Sequence, residues 1–122
     1  MEATKILVVD DSKLIHKMFD VMLRPHNLVH AYDGQEGLHR LAENVDVALI
    51  LLDVNMPKMN GLEFLEEVKR NADLAEIPVV VISTEGKEED TDRALKAGAV
   101  EYIKKPFQSE DVLGVVQRLA VN

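Results

Sequence analysis

The chain has 122 residues, 47% of them hydrophobic and 30% charged, with neither Cys nor Trp. That length suits one domain with a real core, expected over residues 1–122, and the apolar share excludes intrinsic disorder. Without Cys there is no disulfide scaffold, zinc–thiolate site or thiol catalysis, and a net charge of −8 argues against nucleic acid as a partner. No apolar run approaches the ~18 residues that a membrane span needs. Met1–Lys5 leads straight into a strand-like run, with no signal peptide ahead of it. A cytoplasmic address and no membrane partner are therefore expected.

The first apolar run, Ile6-Leu7-Val8-Val9, is continuous, as in a strand covered on both faces. Leu14, Met18 and Met22 follow at helical spacing with Ile15 and Phe19 beside them, and both Met residues are expected in the core. Ser12 is placed to cap this helix and Pro25 to end it after Arg24. Leu28–Tyr32 is a weaker run, interrupted by His30, as suits a sheet edge. The turn Asp33-Gly34 opens a second helix carrying Leu38, Leu41, Ala42 and Val45. Ala48–Leu52 is a second continuous run, followed by a third helix on Leu62, Leu65 and Val68, with Asn60 placed to cap it. Val79–Ile82 is the third continuous run.

The fourth helix, about Lys87 to Ala97, is different. It starts acidic and offers little beyond Ala94, Leu95 and Ala97 to a core, so it should be loosely held, with Gly98 closing it. Val100–Ile103 is again an interrupted, edge-like run. The fifth helix carries Val112, Leu113, Val116, Leu119 and Ala120, with Ser109 as cap and Glu110 and Asp111 in the first turn. Val115 falls off that stripe and is expected on a partner-facing surface. His16, His26, His30 and His39 share no metal-ligand spacing and are expected at the surface or partly packed.

Five strand–helix pairs predict an α/β fold: a five-stranded parallel sheet, right-handed crossovers, and helices on both faces. Ligands of such sheets sit beyond the carboxyl ends of the strands. The residues there are Asp10-Asp11, Asp53, Ser83-Thr84 and Lys104-Lys105-Pro106. Taken singly, each has a plain structural reading as a cap, a solvated loop acid or a surface lysine. Together they place three carboxylates, a hydroxyl and an ammonium on one edge. Packed carboxylates repel one another, and a hard divalent ion relieves that. Mg²⁺ suits best, because it takes one or two carboxylates, waters and a phosphate oxygen. An EF-hand reading of the stretch from Asp53 fails, since Pro57 takes a ligand position and Lys58 replaces the required Gly. The set matches phosphoryl transfer onto Asp53 as nucleophile, with Mg²⁺ on Asp10 and Asp11, and with Lys105 and Ser83 on the other phosphoryl oxygens.

These residues resemble the response-regulator receiver family in its CheY-like, single-domain form. The resemblance runs from Lys5 to Leu119. It rests on Asp10-Asp11, Asp53 with Met56-Pro57 and Met59-Asn60-Gly61, Ser83-Thr84, Ala97-Gly98-Ala99, and Lys105-Pro106-Phe107. It implies the flavodoxin-like strand order 2-1-3-4-5. It implies Asp53 as phosphoacceptor, served by the phosphohistidine of a sensor histidine kinase or by acetyl phosphate. Asp11 and Asp53 would hold Mg²⁺ by side chains, Asp10 largely through water, and Asn55 by its backbone carbonyl. Lys105 matches the family's lysine, which is typically followed by a cis proline bond. Ser83 and Tyr102 fall at the switch positions, and the face of the fourth helix, fifth strand and fifth helix would change on phosphorylation. Asn55 and Glu85 fall where family members tune dephosphorylation. Ser83 and Asn60 are mild departures from the more frequent Thr and Asp.

Such a chain is a signalling switch that catalyses only its own phosphorylation and dephosphorylation. It ends right after the fifth helix, so output is expected through binding a flagellar motor or other chemotaxis-type target. A monomer is expected, with dimerisation on activation left open. The rival within the class is a phosphorelay intermediate serving a histidine phosphotransfer protein. An aspartyl-phosphate phosphatase is disfavoured because Asn55 stands where such enzymes carry a second Asp. An inert scaffold is disfavoured by the intact set Asp10, Asp11, Asp53, Ser83 and Lys105.

Overall fold

Continuous apolar runs bury two faces only inside a sheet covered on both sides, and the computed structural model puts them there. It describes residues 4–24, 26–54, 61–83 and 88–119, the side chains of residues 88–90 excepted. The elements are β1 (Lys5–Val9), α1 (Lys13–Met22), β2 (Asn27–Ala31), α2 (Gly34–Glu43), β3 (Leu49–Leu52), α3 (Gly61–Arg70), β4 (Val79–Ser83), α4 (Glu88–Lys96), β5 (Glu101–Lys104) and α5 (Ser109–Leu119). All four strand pairings are parallel, in the order β2-β1-β3-β4-β5. The expected α/β class and strand order are the observed ones.

Alternation along each strand divides the core in two. Leu7, Val9, Ile50, Leu52, Val79 and Val81 face Leu41 of α2, Phe64, Leu65 and Val68 of α3, and Ala94 of α4. Ile6, Val8, Leu49, Leu51, Val80 and Ile82 face Phe19 of α1 and Val112, Val115 and Val116 of α5. Ser12 caps α1 by accepting the Ile15 N–H, and Asp33 caps α2 by accepting that of Glu36. Gly98 closes α4 with φ of 115°. Its N–H reaches the Leu95 carbonyl and that of Ala99 the Ala94 carbonyl, the paired bonds of a Schellman motif.

Several expectations of detail are corrected. On α1, Met18 and Leu14 are exposed and Met22 is half-buried, whereas His16, Phe19 and Leu23 turn inward. An apolar-only stripe misses that face because a histidine occupies its centre, with its ring nitrogens hydrogen-bonded. On α5, Val115 is 2% exposed and Leu113 37%. Positions 112, 115, 116 and 119 form the i, i+3, i+4, i+7 stripe, and Leu113 lies beside it. Val45 is 88% exposed because α2 ends at Glu43, before the stripe reaches it. Ser109 lies inside the first turn of α5, and the Asp111 carboxylate accepts the Gln108 N–H in its place. Pro25, Asn60, Lys87 and Ala120 lie outside the described residues. Among the described residues, no helix is long and apolar enough to cross a membrane.

Candidate functional site

The site is made by register. Val9 of β1 pairs with Leu52 of β3, so the next residues, Asp10 and Asp53, emerge side by side. The ladder continues one step: the Asp53 N–H donates to the Val9 carbonyl at 2.8 Å and the Asp10 N–H to the Ala31 carbonyl at 3.1 Å. Across the sheet Ser83 pairs with Lys104, and the Lys105 N–H donates to the Ser83 carbonyl at 2.8 Å. The carboxyl ends of β1, β3, β4 and β5 thereby bring their residues to one edge.

Lys105 reaches from that edge into the acid cluster. Its Nζ lies 2.9 Å from Asp10 Oδ2 and 3.7 Å from Asp53 Oδ2. Asp10, Asp11 and Asp53 each offer a carboxylate oxygen, and these oxygens lie within 4.8 Å of one another. Asp10 and Asp53 are buried, Asp11 is exposed and Ser83 is fully buried. The Asp10 Oδ1 also accepts the Ser12 N–H at 2.8 Å. One ammonium among three carboxylates leaves an excess of negative charge in a partly dry place, where ion–ion energies are larger than in water. Hard oxygen donors and an open side at Asp11 fit Mg²⁺.

Two neighbours shape the pocket. Gly61 opens α3 against the chain leaving β3, and a Cβ there would meet the Asp53 carbonyl oxygen at 2.6 Å and collide with Val54 Cα. Glycine is therefore needed for close approach at that point. The Lys105–Pro106 peptide is cis, and Phe107 beyond it stacks on Phe19 with ring centroids 5.5 Å apart.

Tyr102 is half-buried on β5, opposite Val81, and packs against the core on the α2–α3–α4 face. A groove beside it is lined by Glu101, Lys104, Asp111 and Arg118, with Arg118 and Glu101 paired at 2.8 Å. Thr84, Asn55, Glu85 and the Met56–Asn60 stretch lie outside the described residues. The residue missed in the sequence is His16. It is 2% exposed and its Nε2 lies 2.7 Å from the Asp10 carbonyl oxygen. Burial pushes the His16 pKa down; the hydrogen bond to Asp10 opposes this, and the adjacent His30 adds to it. Its place between Ile15 and Phe19, one turn past the Ser12 cap, was the available signal.

A family model described as response regulator receiver domain matches residues 6–117. The chain belongs to this family. This receiver domain is similar to a chemotaxis protein CheY homolog of Campylobacter jejuni, with 37% identity over 120 residues, 90% of this chain and 92% of that one. Vibrio cholerae CheY4 has a solved structure with a TM-score of 0.89 to the receiver at 32% identity, covering 97% of this chain and 99% of that one. A chain of the CheX–CheY–BeF3–Mg²⁺ complex from Borrelia burgdorferi gives a TM-score of 0.89 at 28% identity, covering 98% of this chain and 90% of that one. The receiver is thus a CheY-like module of two-component and chemotaxis signalling, a switch and not a conventional enzyme.

Proposed function

We propose that residues 1–122 act as one receiver domain that takes a phosphoryl group on Asp53 and passes on the signal by changing its α4–β5–α5 face. The observation that carries this reading is the buried Asp53 carboxylate beside Lys105 and within the acid cluster. An Asp53 oxygen attacks phosphorus, and the bond from phosphorus to the imidazole of a sensor kinase's phosphohistidine breaks, as does the P–O bond when acetyl phosphate is the donor. Mg²⁺, held by Asp10, Asp11, Asp53 and the Asn55 backbone carbonyl, would neutralise phosphoryl oxygens. Lys105 takes another phosphoryl oxygen, exchanging part of its pairing with Asp10 and Asp53. Ser83 gives its hydroxyl to a third, and Tyr102 turns inward as it moves. Asn55 and Glu85 set the access of water to the acyl phosphate.

The changed face then binds a motor or other chemotaxis component, and the groove at Tyr102, Lys104 and Arg118 supports that assignment. A cytoplasmic monomer goes with this reading. Incubation with acetyl phosphate and Mg²⁺ followed by mass mapping tests it: one phosphoryl group on Asp53 is expected, absent from Asp53→Ala. An unmodified chain, or modification elsewhere, overturns it.

A second reading, a relay that hands the phosphoryl group to a histidine phosphotransfer protein, is favoured by the exposed apolar stripe Leu14, Met18 and Val21 on α1. Pull-down with and without beryllofluoride separates the two. Capture strengthened by beryllofluoride and lost in surface variants of α5 supports the switch. Capture that ignores beryllofluoride and needs α1 supports the relay.

A further inference from the structure

We infer that His16 is a positioning residue for the acid cluster: its buried imidazole donates Nε2–H to the Asp10 carbonyl and holds the turn that carries Asp10 and Asp11. The inference rests on reading the pocket as a divalent-ion site, and goes beyond it by naming what keeps the site in shape.

The hydrogen bonds form a chain. His16 Nε2 lies 2.7 Å from the Asp10 carbonyl oxygen, and its Nδ1 lies 2.6 Å from His30 Nδ1. His30 Nε2 lies 3.0 Å from Asp20 Oδ1. A carbonyl only accepts, so His16 carries its proton on Nε2. A carboxylate only accepts, so His30 carries a proton on Nε2 as well. The short contact between the two Nδ1 atoms then needs one donor and one acceptor. Whichever of the two Nδ1 atoms donates, His16 Nε2 keeps the donor role toward the Asp10 carbonyl. Tyr32 packs on the His16 ring at 4.2 Å between centroids and fixes its plane.

The consequence falls on one peptide. The Asp10 carbonyl belongs to the plane joining Asp10 to Asp11, so the imidazole bond limits rotation of the group from which both side chains leave. On the other side the Asp10 carboxylate accepts the Ser12 N–H and the Lys105 ammonium. The turn is held from its backbone by His16 and from its side chain by Ser12 and Lys105. Partners that orient ligating groups are worth about 10–100-fold in metal affinity.

The test compares His16→Leu, which fills the space without a donor, with His16→Gln, whose amide can reach the same carbonyl. Imidazole ¹⁵N spectra of the wild-type chain should report a proton on His16 Nε2. Without metal, the Ser12 amide should exchange faster in His16→Leu than in the wild type. Mg²⁺ affinity by calorimetry should fall about tenfold in His16→Leu and stay within about twofold in His16→Gln. Equal Mg²⁺ affinity in His16→Leu and wild type overturns the inference. So does a His16→Gln chain that is folded but as impaired as His16→Leu, or a His16 without a proton on Nε2. Should His16→Leu fail to fold, the wild-type spectrum and the Gln variant still decide. A wild-type chain with no Asp11-dependent Mg²⁺ binding instead removes the site reading itself, and the inference with it.

Discussion

Asp11 stands exposed at the mouth of a cluster whose other two carboxylates are buried and share Lys105. Without a cation the third carboxylate adds repulsion to a pair of carboxylates that already share the Lys105 ammonium. Asp11→Asn should raise Tm in EDTA by roughly 2–4 °C while weakening Mg²⁺ binding, measured by paired melts and calorimetry. A lower Tm than wild type in EDTA would contradict it. At His16 the sign of the pH effect follows from the lowered native pKa against an ordinary 6.5. As pH falls through 6.5 the unfolded chain takes a proton that the buried ring resists, so the native state loses ground. The His16 contribution is fully present above 6.5 and is lost as pH drops through the lowered native value. Urea melts in EDTA should show stability falling between pH 7 and 5, with a smaller slope in His16→Gln.

Among the elements, α5 tests the corrected face. Val115 is buried against the sheet and Leu113 is partly in solvent. Val115→Ala should cost about 2 kcal/mol, from two lost methyl-sized groups and a cavity. Leu113→Ala should cost less, about 0.5 kcal/mol. Equal costs would return Val115 to the surface. The helix α4 is the thin one, as its sequence foretold: Ala94 is buried but Leu95 is 43% exposed. Amides of residues 92–97 should exchange well before those of residues 64–70 in native-state hydrogen exchange, because less apolar surface holds them. That difference is what a bistable face at α4–β5–α5 requires, since a firmly packed helix would not move for one phosphoryl group.

For the whole molecule, an ion held by the acid cluster would be linked to folding, because the cluster exists only when β1, β3 and the end of β5 are assembled. Mg²⁺ at about 100 times its dissociation constant should add about 2.7 kcal/mol to wild-type stability, and little to Asp53→Ala. Thermal melts across a Mg²⁺ series check it. The alternation of five apolar runs with helical segments was enough to establish a parallel sheet with two covered faces. The rule that ligands sit at strand ends was enough to single out Asp10, Asp11, Asp53, Ser83 and Lys105, all of which end at one edge. Those are short-range properties, since a continuous apolar run and the polar residue after it are readable in a window of ten. Which residue of a helix faces inward was less legible, because periodicity leaves neighbours such as Leu113 and Val115 nearly equivalent. The helical position of His16 hinted at the inner face, and the tertiary structure decided that it lies inside. A polar ring is buried only where partners await it, and those partners, the Asp10 carbonyl and His30, come from β1's end and from β2. Distances from Lys105 to Asp10 and Asp53 belong to the same class, set by strand register between segments far apart along the chain.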